Sequence, residues 1–168
     1  VDIKRAKWWM TIAEIPAGIA WSGIGITYLT GFFLALKANS FQIGLVSALP
    51  ALCSLAAILG GWMVGRCRGR KRWYVVLTVF FYLAHILLGA IPFLFHSLAP
   101  AVQVQLGLLV LTGAYALVRI MEVFWYPWAS AIIPEGQRAS FFGRLMIVGT
   151  LIMMPGSYLI GRYLDFTN

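Results

Sequence analysis

Five long stretches of this chain carry almost no charge: residues 8–36, 41–65, 73–95, 102–133 and 145–161. The first contains only Glu14 and the second nothing charged. The third has His85 as its sole group titrating near neutral pH, and the fourth holds Arg119 and Glu122. The fifth is the shortest and could begin at Phe141. A helix needs about 20 largely apolar residues to cross a hydrocarbon core of roughly 30 Å. Lipid offers no hydrogen bonds, so the backbone must satisfy itself, and apolar runs without a two-residue alternation predict helices rather than barrel strands. The expected fold is an all-α integral membrane protein with five transmembrane helices, forming one helical domain over residues 1–168. The connectors 37–40, 66–72, 96–101 and 134–144 are short, which predicts antiparallel neighbours in a bundle.

Composition excludes the main alternatives. Of 168 residues, 61% are hydrophobic and 11% charged, whereas soluble domains run at about 45–50% and about 25%. A water-soluble enzyme would lack polar residues for its surface, and a disordered chain would need far lower hydrophobicity.

The net charge of +8 is informative through its distribution. Lys4, Arg5 and Lys7, then Arg66, Arg68, Arg70, Lys71 and Arg72, then Arg138 and Arg144 account for ten of thirteen basic residues. All three groups fall on one side of the expected membrane, with only Lys37 and Arg162 opposite. The positive-inside rule then places the amino terminus in the cytoplasm. Basic residues split among three juxtamembrane segments do not make a nucleic-acid surface. Trp8, Trp9, Trp73 and Trp128 fall near the cytoplasmic ends, as an aromatic belt would place them; for Trp128, packing within the bundle is the alternative. Cys53 and Cys67 lie fourteen residues apart, roughly 21 Å along a helix, which rules out a disulfide between them. The first apolar run is too long for a cleavable signal peptide and lacks its cleavage site.

A charge near the bilayer centre costs about 2.5–3.5 kcal/mol on insertion scales, so each one needs a reason. Arg119 and Glu122 are three residues apart on one helical face. They either neutralise each other as a structural pair or face a water-filled cavity, binding substrate or relaying protons. Trp125, three residues further on, could line the same cavity or simply pack. Glu14 lies only about 9 Å into its helix counted from Trp8, within reach of a basic loop residue or of the same substrate path. The glycines Gly18, Gly23, Gly25 and Gly31 read as close helix packing or local bending. His85 and His96 are roughly 16 Å apart in height and cannot share a metal. No metal site, cofactor site, phosphate-binding glycine loop or nucleophile constellation is present, so no enzymatic activity is expected.

Two connectors carry a resemblance. Gly61, Arg66, Gly69, Arg70 and Lys71 follow a pattern of glycine, three variable residues, an acid, a base, one variable residue, glycine and two bases. Gly65 stands where the acid belongs, and one extra residue precedes Gly69. Pro134, Arg138, Gly143 and Arg144 follow a Pro-x-x-x-Arg-x-x-x-x-Gly-Arg pattern. With the stretch Asn39–Gly44 opening the second helix, the chain resembles the amino-terminal half of a major facilitator superfamily transporter.

That resemblance implies twelve helices in two halves, a substrate path between the halves, and the first and fourth helices along it. The implied function is secondary active transport of a small solute by alternating access, as a symporter or antiporter in the cytoplasmic membrane of a bacterium. Under it the 66–72 connector is a cytoplasmic gate latch pairing with the carboxyl-terminal half. The same connector also serves as a topology signal and could bind anionic headgroups, at about 1 kcal/mol per basic residue. A chain starting at Val1 and holding five helices is expected to be a fragment of the whole. The alternative is a non-catalytic accessory or self-assembling bundle. An inverted repeat would make the first and fourth helices correspond, and the second and fifth. Glu14 with Glu122 and Pro50 with Pro155 are the expected equivalents.

Overall fold

A computed structural model describes the backbone of residues 2–67 and 69–167 and the side chains through residue 162. Val1, Asn168 and Arg68, one of the basic residues counted above, lie outside the described residues. The described residues are all helical or connecting, with no strand. Five helical runs are long and apolar enough to cross a membrane: Ile3–Ala35, Ser40–Arg66, Arg70–Leu94, Pro100–Ile132 and Glu135–Arg162.

Two of the runs are interrupted. The first consists of α1 (Ile3–Ile24) and α2 (Ile26–Ala35), parted at Gly25, whose ψ of 147° leaves the helical region. Asp2 starts α1 by accepting from the Lys4 and Arg5 amides. At the end of α2 the chain reverses through Lys37 at φ 64°. The Ala38 amide reaches the Phe33 carbonyl and the Lys37 amide the Leu34 carbonyl, a Schellman closure that consumes two orphan carbonyls. Asn39 and Gln42 then form a reciprocal capping box at the start of α3 (Ser40–Leu52). Pro50 has no amide to give the helix, and a single 3-10 turn, Cys53–Leu55, follows before α4 (Ala56–Arg66).

The remaining helices, α5 (Arg70–Leu94), α6 (Pro100–Ile132) and α7 (Glu135–Thr167), are each continuous. Helix α7 begins well before residue 145, at Glu135, so most of the expected 134–144 connector is its first turns, about three. Glu135 at that end suits the positive pole of a helix. Helix α4 ends at Arg66 and α5 starts at Arg70, so Arg66, Arg70, Lys71 and Arg72 stand on helix ends rather than in a loop.

The chain divides into two compact units, Val1–Gly25 with Ala129–Asn168, and Ile26–Trp128. In the first unit α1 lies against α7. Ideal Cβ atoms on Gly18 and Gly156 would come within 3.0 Å of Ile152 Cγ2 and 2.5 Å of Ser22 Oγ. A Cβ on Gly23 would touch Ile160, and one on Gly149 would touch the Glu14 carboxylate. Residue numbers rise together along both helices, so α1 and α7 are parallel neighbours. Gly18 and Ser22, four apart, give the small-residue spacing that lets two helices approach closely in an apolar medium. Gly31 meets nothing within 4 Å. Of the glycine series, Gly18 and Gly23 thus lie on a packing surface, Gly25 makes the break, and Gly31 does neither.

In the second unit, Gly60 of α4 lies against Ile120 and Val123 of α6, and the Cys53 thiol is 3.5 Å from the Thr112 carbonyl. These contacts also run in parallel. Helix α5 runs antiparallel to α6, as Tyr74 meets Trp125, Thr78 donates to the Met121 sulfur at 3.0 Å, and Leu88 approaches Gly107. Phe33, Phe81, Phe124 and Leu111 are fully buried at the centre. Buried Gln103 closes the turn before α6 by donating to the Phe95 and Leu98 carbonyls, each at 3.0 Å.

Candidate functional site

Arg119 and Glu122 are the only charges in α6. The structure joins them: Arg119 Nη1 donates to Glu122 Oε2 at 3.0 Å. Their side chains are 33% and 43% exposed, so the pair lies on an open face of α6 rather than in its packed core. The contact uses one nitrogen and one oxygen, not the two-pronged geometry available to an arginine and a carboxylate. Arg119 Nε is buried and has no acceptor among the described residues. The guanidinium therefore holds one partner and keeps an unused donor.

Trp125 belongs to a ring cluster. Its centroid lies 5.2 Å from Tyr74 and 5.3 Å from Trp128, and Tyr74 is 6.0 Å from Trp128. Rings this close fill the space between them, so Trp125 and Trp128 act in packing α6 against α5. Trp8 and Trp9, by contrast, are exposed and meet edge to face at 5.0 Å.

Glu14 sits on α1 beside Gly149. No ion pair among the described residues includes it, so the expected loop partner is not found. Counted from the helix starts, Glu14 is eleven residues into α1 and Glu122 twenty-two into α6. Likewise Pro50 is ten residues into α3, while Pro155 is twenty into α7, because α7 starts early. The two pairs named as repeat equivalents therefore stand at different helix depths.

Among the described residues, the first basic motif brings no acid to its bases. Arg66 rests over the Trp62 ring at 4.2 Å from its centroid. Gly69 adopts φ 84° and ψ 55° just before Arg70, a left-handed conformation that glycine takes without strain. Gly61 faces open space. The second motif is chiefly architectural. Arg138 Nε donates to the Ser130 and Ile133 carbonyls, each at 3.1 Å, and Nη1 to Glu135 at 3.3 Å. A cation there satisfies the orphan carbonyls and the negative pole at the end of α6. Pro134 separates α6 from α7, Gly143 meets nothing within 4 Å, and Arg144 is exposed.

Sequence reasoning missed three partners. Lys7 donates to Gln137 and lies 6.0 Å from the Phe141 ring centre, tying α1 to the start of α7. Nothing local announces a contact 130 residues away. Trp62 is legible as a partner only through its four-residue spacing from Arg66, and Tyr74, which meets Trp125 from another helix, has no local signal. His85 bonds the Phe81 carbonyl through Nδ1 at 2.9 Å, and its Nε2 is buried without a partner among the described residues. His96 is exposed. No group of metal-binding side chains occurs among the described residues. Both cysteines are free.

No family model, curated protein or solved structure matches this chain.

Proposed function

We propose that this chain supplies amino-terminal helices of a secondary transporter of the major facilitator type. It moves a small solute by alternating access across a bacterial cytoplasmic membrane, with the amino terminus inside and the coupling energy taken from a proton or ion gradient. The observation that carries the reading is the Arg119–Glu122 pair on an open face of an otherwise uncharged, membrane-length helix. Retaining two charges there is costly unless water or solute reaches them. A pair with a spare guanidinium donor can accept a polar solute or exchange a proton through Glu122.

Helix pairing supports the same reading. In an inverted three-plus-three repeat the first helix corresponds to the fourth, and the fifth to the second. Packing of α1 against α7 in one unit is then the counterpart of packing of α6 against α4 in the other. Both pairs are parallel and both use glycine at the contact.

The test is uptake by vesicles carrying the product of the complete reading frame, with amino acids, sugars, organic anions and organic cations offered in turn under an imposed gradient. The proposal expects one class to accumulate and to stop when the gradient is collapsed. It expects R119Q/E122Q to abolish that uptake at unchanged protein level. Full uptake in that variant contradicts the assignment.

A further inference from the structure

The edge shared by α4 and α5 has a chemistry of its own. Arg66, Arg70, Lys71 and Arg72 are all exposed, and none joins an ion pair among the described residues. Carboxylates are scarce: the chain has five, and Glu122 and Glu135 are already taken by Arg119 and Arg138. Below this charge an apolar stripe runs along one side of α4 from the end of the 3-10 turn before it. Leu55, Ile58, Leu59 and Trp62 are each 59% or more exposed, at the three- and four-residue spacing that puts side chains on one helical face. Trp62 ends the stripe, and the Arg66 guanidinium lies over its ring, 4.2 Å from the centroid. Such stacking restrains a cation that would otherwise swing freely.

From this arrangement we infer that the Leu55–Arg66 face with Arg70, Lys71 and Arg72 is a binding site for one anionic phospholipid. The acyl chain lies along Leu55, Ile58, Leu59 and Trp62, and the phosphate meets Arg66 and the basic start of α5. The amphiphile is favoured over an acidic protein segment because the stripe and the charge are continuous. A peptide acid would use the charge and leave four large apolar side chains uncovered. The backbone assists, since α5 starts without a side-chain cap, and its first amides add to the positive field.

The inference rests on the membrane reading of the helices but not on transport. Extraction is therefore tested first: recovery of the protein from membranes with detergent, and not with alkaline carbonate, secures that reading separately. The detergent-solubilised protein is then mixed with phosphatidylglycerol or phosphatidylcholine of identical acyl chains, and retained lipid is counted by native mass spectrometry. Phosphatidylglycerol is expected to be retained at least about tenfold better, with the preference falling as salt rises. R70Q/K71Q/R72Q removes the preference, and W62A weakens retention without changing any charge. K4Q/R5Q/K37Q, which deletes as much charge elsewhere, leaves it intact. Equal retention of both lipids overturns the proposal. So does equal loss in the two charge variants, which marks general attraction rather than a site.

Discussion

Arg119 and Glu122 meet through a single 3.0 Å contact one turn apart on α6, while the buried Nε of the same arginine has no acceptor among the described residues. A pair held this way is thermodynamically separable from its function. Removing one partner strands a charge, so E122Q or R119Q alone should destabilise the protein by about 1–3 kcal/mol. The double variant should regain most of that, because neither charge remains to be compensated. Thermal unfolding in detergent of the four proteins measures the coupling. Additive losses would show that the contact contributes nothing.

Close approach of α1 and α7 makes a second prediction. A methyl at position 156 would lie 2.5 Å from Ser22 Oγ, and one at 18 would press on Ile152 at 3.0 Å. G156A and G18A should each cost about 1–3 kcal/mol through overpacking. Gly89 is open to its surroundings, and G89A should be neutral or slightly stabilising, since alanine is the better helix former. Midpoints of thermal unfolding rank the three.

Arg138 closes the end of α6 through Nε, with two carbonyls at 3.1 Å. R138K keeps the charge but cannot reproduce the forked donor. Both R138K and R138Q should therefore lower stability, by roughly 1 kcal/mol given a partly exposed side chain, and should speed proteolytic cleavage near residue 134. Cleavage by trypsin-independent proteases avoids the lost arginine site. Full protection in R138K would mean that charge alone suffices there.

How much of this was legible beforehand differs by scale. Helix number and type followed from the uninterrupted apolar runs, because a segment must bury its backbone polar groups internally to exist in lipid. Helix ends were less accurate. Apolarity alone starts the Glu135 run too late, since its first turns carry Arg138 and Arg144, and charge there marks the polar end of a helix rather than a connector. Arg119 and Glu122 were readable as a pair from their three-residue spacing. Trp125 was not resolvable, because its partner Tyr74 comes from α5, fifty-one residues away. The α1–α7 contact was likewise beyond local pattern, although Gly18 and Ser22 hinted at a close neighbour.

Sidedness has a built-in reporter in Cys67, half-exposed between α4 and α5, whereas Cys53 is buried. If the basic ends face the cytoplasm, an impermeant maleimide should miss Cys67 in intact cells and label it in inverted vesicles. A cysteine placed at Ser97, between α5 and α6, should behave in the opposite way. The same labelling side for both positions would refute the topology.

Water access to the α6 pair is the most direct measure of the central claim. In a C53A/C67A background, the net-neutral R119Q/E122C variant of the complete reading-frame product carries its only engineered thiol at position 122. A charged thiosulfonate reacts with a thiolate, which forms only where water reaches. Alternating access predicts modification when the reagent is applied from either side of the membrane. Protection of that thiol from one or both sides contradicts it.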